Sequence, residues 1–396
     1  MKNLPFPHVL LALAFLIATP AASAQDTLPE PLQPKRFFYR GYVKSLQTAA
    51  FTSDRGSLLT GNLLHNRLNF RWELSSSLAV RAEFRTRAFW GEQVRLTPDF
   101  DSLADYENGL ADLSTVLVDE PGLVVHAIAD RLLLNWRHGA WDVSLGRQRI
   151  NWGMSTAWNP NDLFNAYNFF DFDYEERPGS DGLRVRYALA GGMSVLEAAV
   201  SRQEEAGSTI AALLYRFNRR NYDVQLLAGF YREDLAAGLG WAGSIGQAGF
   251  RGEATYFRPR DSFFDKKGVL SATAGVDYTF DEGWYVGASA LYGSAGSNQV
   301  VSLEGLTSRQ LSPRLLMPYR LSFLAQGSKQ WTPLFASQLN VIFSPSSRAL
   351  ILFPVLTWSI AENWDVDLVG QSFFSRVNRA FGDQGNLLIL RTKWGF

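Results

Sequence analysis

The sequence predicts an all-β fold: a closed antiparallel transmembrane β-barrel of about eighteen strands over residues 36–396. Three observations predict it. Segments of roughly ten residues alternate apolar and polar side chains, which is the length and period of a tilted strand crossing a bilayer. Short turns and longer connections succeed each other with a regular parity. Aromatic residues stand in pairs beside the short turns.

The chain opens on an export signal. Lys2 precedes an apolar run over 9–18, and Ala22-Ser23-Ala24 offers small residues before Gln25. The run is too short to span a bilayer, so 1–24 reads as a cleavable signal peptide. The Pro-containing stretch 25–35 follows as a periplasmic linker. Charge is balanced, with 38 Lys and Arg against 38 Asp and Glu, which gives no global attraction to nucleic acid. Cysteine is absent, so an exported chain of this kind has neither disulfide staples nor thiolate metal sites. The mean hydropathy of −0.09 fits a barrel, in which lipid-facing and lumen-facing residues cancel.

Strands are expected near 36–47, 61–74, 78–90, 126–138, 141–150, 182–190, 193–203, 208–218, 221–232, 235–246, 248–258, 270–280, 284–293, 319–329, 333–344, 348–360, 364–375 and 386–396. In the second, Leu64, Leu68, Phe70 and Trp72 alternate with His65, Arg67, Asn69, Arg71 and Glu73. In the third, Arg81, Glu83, Arg85 and Arg87 alternate with Val80, Ala82 and Phe84. Charges at every second position suit a wall with water on one side. Two segments break the pattern. Residues 348–360 are apolar on both faces and contain Pro354, and 235–246 are rich in Gly and Ala. If either fails, the closed barrel has sixteen strands, because the bilayer tolerates no unpaired edge.

Short turns at 75–77, 139–140, 191–192, 219–220, 281–283 and 361–363 each follow an even-numbered expected strand. Longer connections at 91–125, 151–181, 259–269, 294–318 and 376–385 follow odd-numbered ones. This is the parity of short periplasmic turns and long extracellular loops. Trp136 and Trp141, Phe217 and Tyr222, Phe280 and Trp284, and Trp358 and Trp364 flank short turns as an interfacial girdle would. The final segment, NLLILRTKWGF, resembles the closing strand of Gram-negative outer-membrane barrels. That resemblance implies recognition by the barrel-assembly machinery, and outer-membrane lipid and lipopolysaccharide as surroundings.

On the inward face the basic residues outnumber the acidic ones, mainly in the first six strands. Arg40, Lys44, Arg67, Arg71, Arg81, Arg85, Arg87, Arg184, Arg186, Arg391 and Lys393 are the candidates for lining a pore. Two readings stand: Arg–Glu pairs that brace the wall, or a basic surface that favours anions. The connection 151–181 carries a heavy apolar load. Its candidate constriction residues are Trp152, Trp158, Asn159, Asp162, Phe164, Tyr167, Phe170, Asp171 and Asp173, with Asp162 placed to cap a short helix. Packing that stiffens the mouth and stacking surfaces for sugar rings are both open. Leu103, Leu110, Leu113 and Leu117 have a helical spacing that suggests a lid or plug helix in 91–125.

The run Gly146-Arg147-Gln148, Asn151-Trp152-Gly153 and Trp158-Asn159-Pro160, with Asp162 and Phe164, resembles a motif of porin-like and alginate-export barrels. It implies passive passage of small or anionic solutes, sugar acids or polysaccharide among them. A second reading is a non-conducting surface-binding or structural barrel for exopolysaccharide or capsule attachment, plugged by 91–125 and 151–181. No cofactor or metal is expected. Asp171, Asp173, Glu175 and Glu176 lack the glycine-turned spacing of a calcium loop and lie beside Arg177. An enzyme is not expected either: His126 is the one placed candidate, and no nucleophile motif accompanies it.

Overall fold

The computed structural model describes residues 36–52, 58–105, 109–166, 179–202, 209–261, 263–298, 312–377 and 380–396. The expected signal peptide and linker, 1–35, lie outside the described residues. The rest forms one antiparallel sheet that closes on itself. Its first strands are β1 (Phe37–Phe51), β2 (Leu58–Glu73), β3 (Leu78–Trp90), β4 (Ser114–Glu120), β5 (Leu123–His138) and β6 (Trp141–Gln148). Then come β7 (Ser180–Leu189), β8 (Ser194–Arg202), β9 (Thr209–Arg219), β10 (Tyr222–Tyr231), β11 (Asp234–Ile245), β12 (Ala248–Pro259) and β13 (Val269–Thr279). The wall ends with β14 (Trp284–Gly293), β15 (Leu321–Thr332), β16 (Phe335–Ser344), β17 (Ala349–Ala361), β18 (Trp364–Val377) and β19 (Ala380–Gly395). Closure is made by β1 on β19, from Tyr42↔Gly395 to Phe51↔Asn386, so no long edge is left open.

All eighteen expected strands form, the two doubtful ones included. The additional strand, β4, pairs with the loop-end half of β5, while β6 pairs with its turn-end half. The two share one column of the wall, which keeps the barrel eighteen strands around. Two expectations fail here. Among the described residues no lid helix runs through Leu103–Leu117: α1 (Glu92–Leu96) and α2 (Phe100–Ala104) are single short turns, and β4 begins at Ser114. Leu103, Leu110 and Leu117 are exposed, so their spacing marks no buried helical stripe. The connection 376–385 is not a loop either, because β18 and β19 continue pairing as far as Val377↔Ala380.

Outward side chains along the strand middles are mostly apolar. Leu213, Leu226, Phe230, Val276, Phe323 and Phe343 are 43–56 % exposed, while the inward Gln225, Glu253, Thr255 and Ser322 are fully buried. That is the reverse of a water-soluble sheet and is what lipid outside the wall requires. Rings gather at the turn end. Trp141 lies against Tyr187 at 4.6 Å, Phe335 against Trp358 at 4.7 Å and Trp364 against Trp394 at 6.0 Å.

Both weak segments have a local explanation. In β17 the inward Ala349, Ile351 and Phe353 belong to a buried apolar cluster inside the barrel, so both of its faces must be apolar. Pairing with β18 passes over Phe353 and Pro354, where the missing proline N–H leaves no donor. In β11 a Cβ added at Gly238 would lie 2.7 Å from Asn161 Oδ1, and one at Gly240 would lie 2.8 Å from Asn161 Nδ2. Only glycine lets that loop side chain approach the wall.

Candidate functional site

The candidate site is the barrel interior, divided between a folded-in loop and a charged wall. Leaving β6, the chain turns inward. Trp152, Trp158, Asn161, Asp162 and Leu163 are each no more than 2 % exposed. Trp152 and Phe164 meet edge to face at 5.0 Å within a cluster on β8–β12 that includes Leu214, Leu227 and Phe257. Trp158 joins the opposite cluster, with Leu324, Ile342, Ile351 and Val369. The loop therefore bridges two stretches of the inner wall.

Polar anchors fix its path. Glu253 on β12 accepts the N–H of Met154 and, at 2.7 Å, that of Ser155 on Oε1, and the N–H of Asn161 at 2.9 Å on Oε2. Thr255 Oγ1 stands 2.9 Å from Pro160 O and 2.6 Å from Asn161 Oδ1. Trp152 Nε1 donates to Glu197 at 2.6 Å, and Gln225 Nε2 donates to Trp152 O at 2.7 Å. A buried carboxylate is costly unless hydrogen-bonded, and Glu253 obtains its partners from the loop backbone. Of the expected constriction residues, Trp152, Trp158, Asn159, Asp162 and Phe164 come together here as packing and turn residues. With Trp152 and Trp158 each 1 % exposed, neither offers a ring face to a sugar. Asp162 caps no helix; the segment is a turn, and Asp162 Oδ1 receives the Trp152 N–H at 3.4 Å. Tyr167, Phe170, Asp171 and Asp173, like Glu175 and Glu176, lie outside the described residues.

The candidate basic residues all lie on inward strand positions, in three environments. Arg67 is fully buried: it donates to Asp130, to Glu83 at 2.5 Å and to Asn69 at 2.9 Å. Arg85 shares Asp130 at 2.9 Å, Arg184 pairs with Glu197 at 2.7 Å and Arg391 with Asp367 at 2.8 Å. These are braces. Lys44 and Lys393 face each other across the seam, each 4.9 Å from the Tyr42 ring. Arg87 contacts His126 Nδ1 at 3.1 Å and donates to Ala104 O at 2.6 Å. Towards the turn end Arg40, Arg71 and Arg186 are exposed although they point into the barrel, with Arg81 part-exposed opposite Arg71. Arg71 has Glu73 at 2.6 Å as a partner, itself exposed.

The inward pattern had omitted the residues that organise the wall. Asp130, 1 % exposed, holds both Arg67 and Arg85, yet a register shift between Glu83 and Phe84 moves it out of simple alternation. Arg147 is 3 % exposed and grips Asp181 at 2.7 Å and Ala111 O at 2.6 Å, tying the first long connection to the second. A basic residue beside an expected loop origin was the available signal. His126 is enclosed, with Nε2 2.8 Å from Asp105, and is not presented to a substrate. Among the described residues no group of three or more His, Cys, Asp or Glu is placed to hold a metal ion.

The barrel is similar to solved barrels of very different sequence. Against Acinetobacter baumannii OccAB1 the TM-score is 0.59 at 8 % identity, covering 91 % of this chain and 96 % of that one. Against Pseudomonas aeruginosa OprD it is 0.59 at 9 % identity, covering 91 % and 95 %. Against Pseudomonas aeruginosa OccK5 (OpdH) it is 0.57 at 8 % identity, covering 90 % and 98 %. No family model matches the chain, and no curated protein matches it. The shared property is the fold, over nearly the full length of both partners.

Proposed function

We propose that this chain is an outer-membrane channel that passes small anionic solutes passively along its basic wall. The observation that carries the reading is the set of inward-facing yet exposed arginines, Arg40, Arg71 and Arg186. Such groups keep their hydration only if water fills the turn-end half of the lumen. The turn end faces the periplasm and the loop end the exterior, and 1–24 serves as the export signal. The barrels it resembles are porins of the Occ/OprD kind, which supports the same reading. Within small anions, carboxylate-bearing sugars are the finer class, because fixed arginines offer planar two-point recognition of carboxylates. A polysaccharide needs a wider path than a lumen crossed by the 149–166 segment suggests.

Planar-bilayer recording tests this. Stepwise openings with a reversal potential biased toward anions are expected, and a silent barrel overturns the proposal in favour of a plugged, surface-binding one. Deleting 155–175 should raise the unitary conductance. An unchanged current removes that loop from the mechanism.

A further inference from the structure

Among the described residues, open grooves with small-residue floors lie on the outward face. Two of them, of about 480 and 330 Å³, are lined by no charged residue. A third, about 650 Å³, lies across β10–β12 toward the loop end: Ala228 and Ala237 contribute to its floor, Phe230, Tyr256 and Phe263 to its sides, and Arg258 closes it. Arg258 occupies an outward position on β12, one residue after the inward, fully buried Phe257. A charge on the lipid face is tolerated only near headgroup height, and Arg258 stands at the end of its strand. Its guanidinium lies 5.0 Å from the Phe263 ring and donates to Phe263 O. Phe264 is 91 % exposed beside the exposed Lys266 and Lys267. Of the acids nearby, Asp261 pairs with Arg260 at 3.6 Å, while the exposed Glu233, whose carbonyl accepts the Arg260 N–H, and Asp265 also lie in this region, which keeps a basic excess with Arg258, Lys266 and Lys267.

We propose that this groove binds one phosphorylated, acylated glycolipid of the outer leaflet, that is, lipopolysaccharide through its lipid A. An acyl chain lies over Ala228 and Ala237 and a phosphate meets Arg258, with the exposed Lys266 and Lys267 later in the same connection adding positive charge. A bidentate guanidinium suits a phosphate, and the small-residue floor leaves the room that a chain needs. The site rests on the outer-membrane reading but not on conduction.

Native mass spectrometry of the full barrel with added lipid A tests it, beside lipid A stripped of its phosphates and phosphatidylethanolamine. One lipid A per barrel should survive activation that removes phosphatidylethanolamine. Arg258→Gln should lower the retained fraction roughly fivefold. Ala237→Phe, which fills the groove, should do the same, whereas Ala211→Phe in an uncharged groove should not. All variants should keep the heat-modifiable gel shift of a folded barrel. Equal retention by wild type and Arg258→Gln overturns the site, as does equal retention of the dephosphorylated lipid or a second barrel in place of the lipid. Recording in lipid A-free bilayers separates the two proposals. A conducting barrel that retains no lipid A loses this site alone, and a silent one that retains it loses only the channel.

Discussion

The two halves of the inner wall solve the same problem in opposite ways. From β1 to β7 many inward residues are charged, and they satisfy one another: Asp130 sits between Arg67 and Arg85, and Asp181 holds Arg147. Over β8–β18 the inward face adds two apolar clusters to its polar residues, and the folded-in loop covers both kinds, with Trp152 on one cluster, Trp158 on the other and its backbone on Glu253. A strand that faces water must alternate, whereas a strand that faces a loop need not. This difference explains why the alternation fails at β11 and β17, both of which seat the loop.

The contrast yields predictions of decreasing size. Glu253→Ala removes the acceptor for three backbone donors, that of Asn161 fully buried, and should weaken loop docking by about 4 kcal/mol. Limited proteolysis near Met154 should accelerate and the unitary conductance should rise, while the barrel keeps its gel shift. An unchanged loop would show that apolar packing alone holds it. Trp158→Ala should cost about 3–4 kcal/mol by leaving a cavity in the cluster with Ile342 and Ile351. Denaturant unfolding reads this loss. On the other half, Asp130→Asn leaves Arg67 and Arg85 without their shared counter-charge and should lower stability by about 3 kcal/mol. It should also increase the anion preference, and a variant with wild-type stability would mean that water already solvates Arg67.

Arg71→Gln touches an exposed pair and should barely change stability, by less than about 1 kcal/mol, yet it should shift the reversal potential toward cations. The smallest effect concerns Glu92, outside the spanning strands. The Thr60 hydroxyl, 2.9 Å away, leads the interactions that hold its carboxylate below the usual range. A lowered folded pKa means a link present above the unfolded pKa and lost as pH falls through the folded one. Thr60→Val should move the Glu92 titration upward, which is measurable by NMR.

Strand existence was legible because period-2 alternation and turn parity are local signals. The seat of the loop was legible only as noise. Gly238 and Gly240 looked like weak strand residues because the partner that requires them, Asn161, is remote in sequence. Asp130 was hidden by the irregularity opposite Glu83, which displaces it from the simple alternation. Trp152 and Trp158 were recognised as loop residues, but exposure, which decides between stacking a solute and packing a wall, is a tertiary property. The helical spacing of Leu103 to Leu117 misled because four leucines match a period by chance more readily than a capped helix does. Among the described residues α2 ends at Ala104, whose carbonyl is taken by Arg87.

Among the described residues Glu253 grips the loop through main-chain N–H groups, those of Met154, Ser155 and Asn161. Such a grip does not depend on the identity of the side chains at 154–156. These positions can vary, proline excepted, without loosening the clasp, so how the loop is mounted is separable from the side chains it displays. The barrel thus provides a fixed socket in which differently decorated inserts can be fitted, by mutation or by an engineer, while the wall remains untouched.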